Sequence, residues 1–159
     1  MSRGGADLAL QLLAAFRLLA DEATDRLAER GHPGVRPAHD FALRAVAGGA
    51  DSVSEVGRRT SVSKQAAGKT VAFLEEAGYV RREPGPAGGR RARLAVTDRG
   101  RSLMDEGEAV FDELRAGWEE LVGRDRVAEL QDALARLLGD DAARSGHGRT
   151  RAPWDTSDR

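Results

Sequence analysis

The residues best suited to chemistry lie in one segment with helical spacing, residues 63–77. At 100° per residue, Lys64, Gln65, Gly68 and Lys69 fall on one polar side of such a helix. The opposite side collects small and apolar residues, namely Ala66, Ala67, Thr70, Phe73, Leu74 and Ala77. Both lysines occupy the first turns, where the helix dipole also favours an anion. The polar side is therefore suited to hydrogen bonds and charge contacts with a polyanion.

Charge is distributed unevenly along the chain. The 159 residues contain 25 Lys and Arg against 26 Asp and Glu, and this balance by itself argues against a nucleic-acid partner. Residues 54–93 carry only four acids, Glu55, Glu75, Glu76 and Glu83, against nine basic residues, Arg58, Arg59, Lys64, Lys69, Arg81, Arg82, Arg90, Arg91 and Arg93. A basic segment between acidic arms is the electrostatic pattern expected of a nucleic-acid surface.

The segment forms the second half of a predicted helix-turn-helix. Ser52 and Glu55 have the spacing of a capping box that starts a short helix, and Ser63 has the hydroxyl that caps the next one. The turn between them lacks the usual glycine, and Thr60 or Ser61 takes its place. In motifs of this kind the second helix enters the major groove of DNA.

A hairpin is predicted directly after the helix-turn-helix. Residues 79–82 and 90–96 have strand character, and the Gly- and Pro-rich residues 83–89 cannot form a helix or a central strand. Arg90 and Arg91 lie at its basic tip. A helix-turn-helix followed by such a hairpin is a winged helix, with the wing placed to contact the DNA backbone or the minor groove.

Amphipathic helices are predicted on both sides of the winged helix. The first helix is apolar nearly all round its N-terminal turns, so it needs packing partners on two sides. A chain of this size has few elements to provide them, and a second subunit is the natural source. We therefore predict a mainly α protein of the α+β winged-helix class. Residues 37–97 would form the DNA-binding lobe, residues 7–36 and 98–139 the dimerisation helices, and residues 140–159 a disordered tail.

Several motifs resemble those of the multiple-antibiotic-resistance regulator (MarR) family of bacterial transcription factors. They are VSEVG at 53–57, VSKQ at 62–65, LEEAGYV at 74–80 and the wing strand at 90–96, which runs into VTDRG at 96–100. The resemblance implies a homodimer that binds a pseudo-palindromic operator, as a repressor released by a small ligand or by oxidation. One departure concerns the wing, where the family has an acid two residues before its arginine and this chain has Gly88 before Arg90.

Two groups of candidate site residues follow. The predicted DNA contacts are Ser63, Lys64, Gln65, Gly68, Lys69, Arg90 and Arg91, where Gln65 suits adenine and the cations suit guanine or phosphate. The resemblance implies an effector pocket between the dimerisation helices and the DNA-binding lobe, with Phe16, Arg17, His39 and Phe41 as its residues. The non-functional alternatives are a solvent-exposed helix face for the first group and purely structural roles for the second.

Composition narrows the remaining classes of function. The chain has no cysteine and three histidines, which excludes thiol oxidation as a signal and leaves no constellation for a metal, a cofactor or catalysis. Polar residues interrupt the N-terminal apolar run, so neither a signal peptide nor a membrane span is predicted, and we expect a cytoplasmic protein. The competing hypothesis is a winged-helix module that docks a partner protein without specific DNA binding.

Overall fold

The computed structural model describes residues 4–85 and 92–139. These residues form six helices and one antiparallel pair of strands, in the order α1 Gly4–Glu29, α2 Pro37–Ala47, α3 Val53–Arg59, α4 Lys64–Glu76, β1 Val80–Glu83, β2 Arg93–Val96, α5 Asp98–Val122 and α6 Arg124–Leu138. The predicted mainly α winged-helix class is confirmed. The predicted tail at 140–159 and the wing tip at 86–91 lie outside the described residues.

The helix-turn-helix forms through the predicted caps. The Ser52 hydroxyl accepts the Glu55 backbone N–H at 3.3 Å, and the Ser63 hydroxyl accepts that of Ala66 at 3.1 Å. Between the two helices Ser61 adopts φ 54°, the left-handed conformation that the missing glycine would otherwise supply. The turn therefore places a non-glycine residue with a short side chain in a strained backbone conformation.

The buried face of α4 is rotated from the face that the sequence predicts. Ala67, Val71 and Leu74 are buried, whereas Ala66 is exposed and Phe73 is only half-buried. The observed face is turned by roughly 60° at 100° per residue. The reason is tertiary, because α4 packs against both α2 and α3 and these two helices together select the side that meets the core.

The wing strands pair in the register Val80↔Val96 to Glu83↔Arg93. Leu94 is buried and Arg93 is exposed, as the predicted alternation requires. At the base of the wing the Thr97 N–H donates to the Tyr79 carbonyl at 3.0 Å, and the Thr97 hydroxyl accepts the Gly100 N–H at the start of α5. The end of α4, both strands and α5 therefore meet at one junction.

The outer helices leave a large apolar surface exposed. Helix α1 packs on α5, and Arg26 of α1 and Arg30 just after it bind Glu113 of α5. Only Ala23 and Leu27 of α1 are buried. The exposed apolar residues of the outer helices are Leu8, Leu10, Leu12, Leu13, Phe16, Leu18, Leu121, Val122, Leu130, Leu137 and Leu138. In the described part of the chain, none of the helices combines the length and apolar character that a membrane crossing needs.

Gly100 provides a test of the junction at the base of the wing. A Cβ on Gly100 would lie 2.7 Å from Val96 Cγ1 and closer still to the Tyr79 carbonyl oxygen. Gly100→Ala should lower the free energy of unfolding by ~1–3 kcal/mol, because neither neighbour is free to move away. Gly117→Ala in the same helix meets nothing within 4 Å and should be neutral or stabilising. Denaturant unfolding of both variants makes the comparison, and equal stabilities would contradict the close approach.

Candidate nucleic-acid interface

The N-terminal turns of α4 bring five of the predicted DNA contacts onto one surface. Ser63, Lys64, Gln65 and Lys69 are exposed. Gly68 is half-buried, and a Cβ there would stand 3.8 Å from Val53 of α3. The Ser63 hydroxyl is already engaged as the helix cap, so the groups free to reach a ligand are the two ammonium groups, the Gln65 amide and the close backbone at Gly68.

Arginines next to this surface are paired with acids. Glu55 holds Arg58 at 2.6 Å and Arg59 at 2.9 Å, and these side-chain hydrogen bonds lower the pKa of Glu55 to about 2. Arg59 also donates to the Gly48 carbonyl at 2.6 Å, which ties α3 to the end of α2. Arg59 therefore ties two elements of the lobe together, whereas Arg58 lies exposed beside Glu55.

The same pairing extends to the wing strands. Arg82 binds Glu75 of α4 at 2.7 Å, Arg81 binds Glu83, and Arg93 lies 3.6 Å from Asp51. Within the described residues, neither Lys64 nor Lys69 has an acidic partner. Lys64 and Lys69 therefore carry positive charge that no acid pairs, and the Arg58 and Arg59 pair, which shares Glu55, keeps one further positive charge.

Arg90 and Arg91 lie outside the described residues. Their assignment as DNA contacts stays a prediction. The described strands nevertheless fix where the wing leaves the lobe, because β1 ends at Glu83 directly opposite Arg93 at the start of β2.

A cavity of about 350 Å³ lies between α1, α2, α3 and α4. Its lining residues are Phe16, Ala20, Arg36, Pro37, Ala38, Phe41, Ala42, Val56, Thr60, Val62, Ala67 and Thr70. Two of the predicted effector residues, Phe16 and Phe41, are among them, and Arg17 and His39 are not. Sequence reasoning missed the contributions of α3 and α4, because four separate segments assemble this cavity and no local motif marks it.

His39 has a structural environment beside the cavity. Its Nδ1 accepts the Arg36 backbone N–H at 2.9 Å, and its ring stacks on Phe73 of α4 with centroids 4.0 Å apart. Burial, assisted by the charge of Arg36, lowers the pKa of His39. The ring is therefore neutral at pH 7 with its proton on Nε2, and it holds the start of α2 against the recognition side of the lobe. No metal-binding group of three or more His, Cys, Asp or Glu occurs in residues 4–85 and 92–139.

Comparisons with known proteins agree with this geometry. A sequence model described as MarR family matches residues 34–91, which span most of the winged lobe. No curated protein sequence matches the chain. A MarR family transcriptional regulator from Rhodococcus sp. RHA1 is 21% identical, with a TM-score of 0.65 over 85% of this chain and 94% of that one.

A second solved relative is the Mycobacterium tuberculosis MarR family protein Rv2887. Its complex with DNA is 25% identical to this chain, with a TM-score of 0.63 over 82% of this chain and 96% of that one. Its complex with p-aminosalicylic acid is 26% identical, with a TM-score of 0.63 over 82% and 97%.

The fold and the exposed face of α4 define the class of winged-helix DNA-binding proteins. Within that class, the sequence match and the solved relatives confirm the resemblance drawn from the motifs. Residues 34–91 match the MarR family, and the described chain has the fold of MarR family transcriptional regulators, one of which forms a complex with DNA.

Removal of the two lysines tests the interface. Lys64→Ala with Lys69→Ala should weaken DNA binding and flatten the plot of log affinity against log salt concentration, each lost phosphate contact removing ~0.9 from the slope. Arg124→Ala is the matched control, because the 25 residues of α5 place it roughly 37 Å from the wing. Fluorescence titrations at several salt concentrations measure the slope. A slope unchanged by the lysine substitutions would show that they contact no phosphate.

Proposed function

We propose that the protein is a homodimeric, sequence-specific repressor that binds a pseudo-palindromic operator and is released by a small molecule. The observation that carries the proposal is the unpaired lysine charge at the start of α4, on a lobe whose neighbouring arginines are paired with acids. A relative of the same fold forms a complex with DNA. Such a repressor acts in the cytoplasm and needs no catalytic group.

Each subunit places the first two turns of α4 in a major groove. Gln65 has the donor and acceptor pair that matches adenine, and Lys64 and Lys69 reach guanine or phosphate. The helix dipole adds to the attraction at this end of α4. Arg90 and Arg91 of the wing contact the neighbouring backbone or minor groove. Half-sites then lie about one helical turn apart, ~10 base pairs centre to centre.

The apolar surface of the outer helices supports the homodimer. Its residues lie on both arms that flank the lobe, and they include Leu121, which is 83% exposed in the single chain. Large apolar side chains exposed in this number on two flanking helical arms favour an interface. A twofold arrangement buries the same surface from each subunit, as an isologous contact requires.

The cavity between α1 and α4 supports regulation by a small molecule. Its wall is mainly apolar, and Arg36 is the charged residue among those that line it. This chemistry suits a compact apolar molecule with one acidic group, and the mycobacterial relative binds p-aminosalicylic acid. Phe16 and Phe41 contact such a ligand directly, while Arg17 and His39 flank the cavity on α1 and α2. An occupant touching both α1 and α4 alters their separation and so the placement of the recognition helix.

Gel-shift and light-scattering measurements test the core of this proposal. The protein should retard DNA from upstream of its own gene at low salt and lower transcription from that promoter in a reporter assay. Light scattering at micromolar concentration should give twice the mass of one chain. Failure to bind upstream DNA would favour a module that docks a partner protein, and non-specific DNA should not displace such a module from its partner. A monomeric mass would contradict the homodimer.

Filling the cavity tests the proposed effector site. Ala38→Phe places a ring in the cavity and should raise the concentration of p-aminosalicylate needed to release DNA by at least ~10-fold, because the site is occupied. Ala47→Phe, at the other end of α2 and outside this cavity, is the matched control. DNA affinity without p-aminosalicylate should stay the same in both variants. Release of Ala38→Phe at the wild-type concentration would contradict the assignment.

A further inference from the structure

A chain of polar side chains with a buried centre runs from the end of α1 to the end of α4, and its outer member Arg99 is exposed. Tyr79 is 0% exposed and His32 is 4% exposed. The Tyr79 hydroxyl lies 3.0 Å from His32 Nδ1, and His32 Nε2 lies 3.6 Å from a carboxylate oxygen of Glu106 on α5. Arg99 of α5 donates to the Tyr79 hydroxyl at 3.3 Å.

The directions of these hydrogen bonds are mutually consistent. Arg99 has only donors, so the Tyr79 oxygen accepts its N–H and the Tyr79 proton goes to His32 Nδ1. The Nε2 edge of the His32 ring faces Glu106. The Tyr79 hydroxyl thus joins Arg99 to His32 through hydrogen bonds at a buried position, and buried hydrogen bonds of this kind favour one geometry.

Arg99 is the point at which the separate segments are joined. Its Nε donates to the Ala77 carbonyl at the end of α4, and one terminal nitrogen donates to the Gly31 carbonyl just after α1. Its guanidinium carbon also lies 4.9 Å from the centre of the Tyr79 ring. A single side chain of α5 therefore holds the ends of both α1 and α4.

We propose that Arg99, acting through Tyr79 and His32, is a positioning residue that sets the angle of the recognition helix and thereby the spacing between half-sites. The inference rests on the proposed homodimer, because only two linked recognition helices have a spacing to set. Arg99 itself contacts no DNA in this proposal, since its partners are the Ala77 and Gly31 carbonyls and Tyr79.

A small change of angle at the C-terminal end of α4 produces a large displacement at its N-terminal end. The contacts of Arg99, called the clamp below, hold the C-terminal end of α4. The proposed DNA-contacting residues occupy the N-terminal end of this 13-residue helix, roughly 20 Å away. A tilt of about 10° at the clamp moves the reading end by roughly 3.4 Å, which is the rise of one base pair. Loosening the clamp should therefore reduce discrimination between half-site spacings that differ by one base pair, while leaving the DNA-contacting residues unchanged.

The lobe has other ties to α5 that keep it folded when the clamp is loosened. Arg44 of α2 binds Asp40 at 2.8 Å and donates to the Met104 carbonyl of α5 at 3.3 Å. Leu43, Leu74 and Leu103 remain in the core beside this tie. Substitutions at Arg99 therefore address orientation more than folding.

The test uses the full chain and a DNA duplex that the wild-type protein selects from random-sequence DNA. Two further duplexes carry one base pair inserted or deleted between the half-sites. Wild-type protein should prefer the selected spacing by at least ~10-fold. Arg99→Lys keeps the charge but loses the planar fork, and it should reduce this preference to below ~3-fold. Tyr79→Phe should act in the same direction.

Arg101→Lys is the matched control. Arg101 lies two residues further along α5 and bonds the Val96 carbonyl and Asp98, without reaching α1 or α4. It should keep the wild-type spacing preference. Thermal unfolding of each variant distinguishes a change in helix orientation from a loss of stability. If Tyr79→Phe fails to fold, Arg99→Lys alone decides the test.

Two outcomes overturn the inference and are distinguishable from one another. If the wild-type protein discriminates spacing and Arg99→Lys discriminates it equally, the positioning role is wrong and the proposed function stands. If the wild-type protein selects DNA without paired half-sites, the homodimeric function fails and the positioning role fails with it.

Discussion

The meeting of Tyr79 with the start of α5 is the constraint on which the rest of the lobe depends. The Tyr79 carbonyl accepts the Thr97 N–H, and Gly100 leaves the space in which this contact can form. Because the hairpin starts and ends at this contact, the wing cannot shift independently of α4. The hydroxyl of the same residue contacts Arg99 and His32, so the backbone and side chain of Tyr79 together join the base of the wing to the end of α1.

Pairing of charges determines which part of the basic segment faces a partner. Glu55 and Glu75 hold arginines of α3 and β1 in contacts within the lobe, and exposed pairs of this kind contribute little to stability. Their effect is on where positive charge remains available. An acid beside a guanidinium cancels its field within a few ångströms, whereas the ammonium groups of α4 keep theirs. The lobe therefore presents a focused cationic site on a chain of nearly neutral total charge.

Features governed by neighbouring residues could be predicted from the sequence, and features governed by tertiary contacts could not. The caps at Ser52 and Ser63 depend on a few adjacent residues, and the structure confirms them. Of Thr60 and Ser61, the two residues predicted to replace the turn glycine, Ser61 takes the left-handed conformation. The predicted burial of Ala66 is wrong because α2 and α3 choose the face of α4, with Val71 in the core instead. The partners of the arginines and the wall of the cavity come from separate segments, so no local pattern encodes them.

The scarcity of unpaired cations has a consequence for the search for a target in a whole genome. Non-specific affinity grows with the number of phosphates neutralised, and a genome offers on the order of 10⁶–10⁹ competing sites. With its described arginines engaged internally, the lobe gains little from an arbitrary stretch of duplex. Internal neutralisation of charge in the described lobe therefore limits its attraction to DNA of arbitrary sequence.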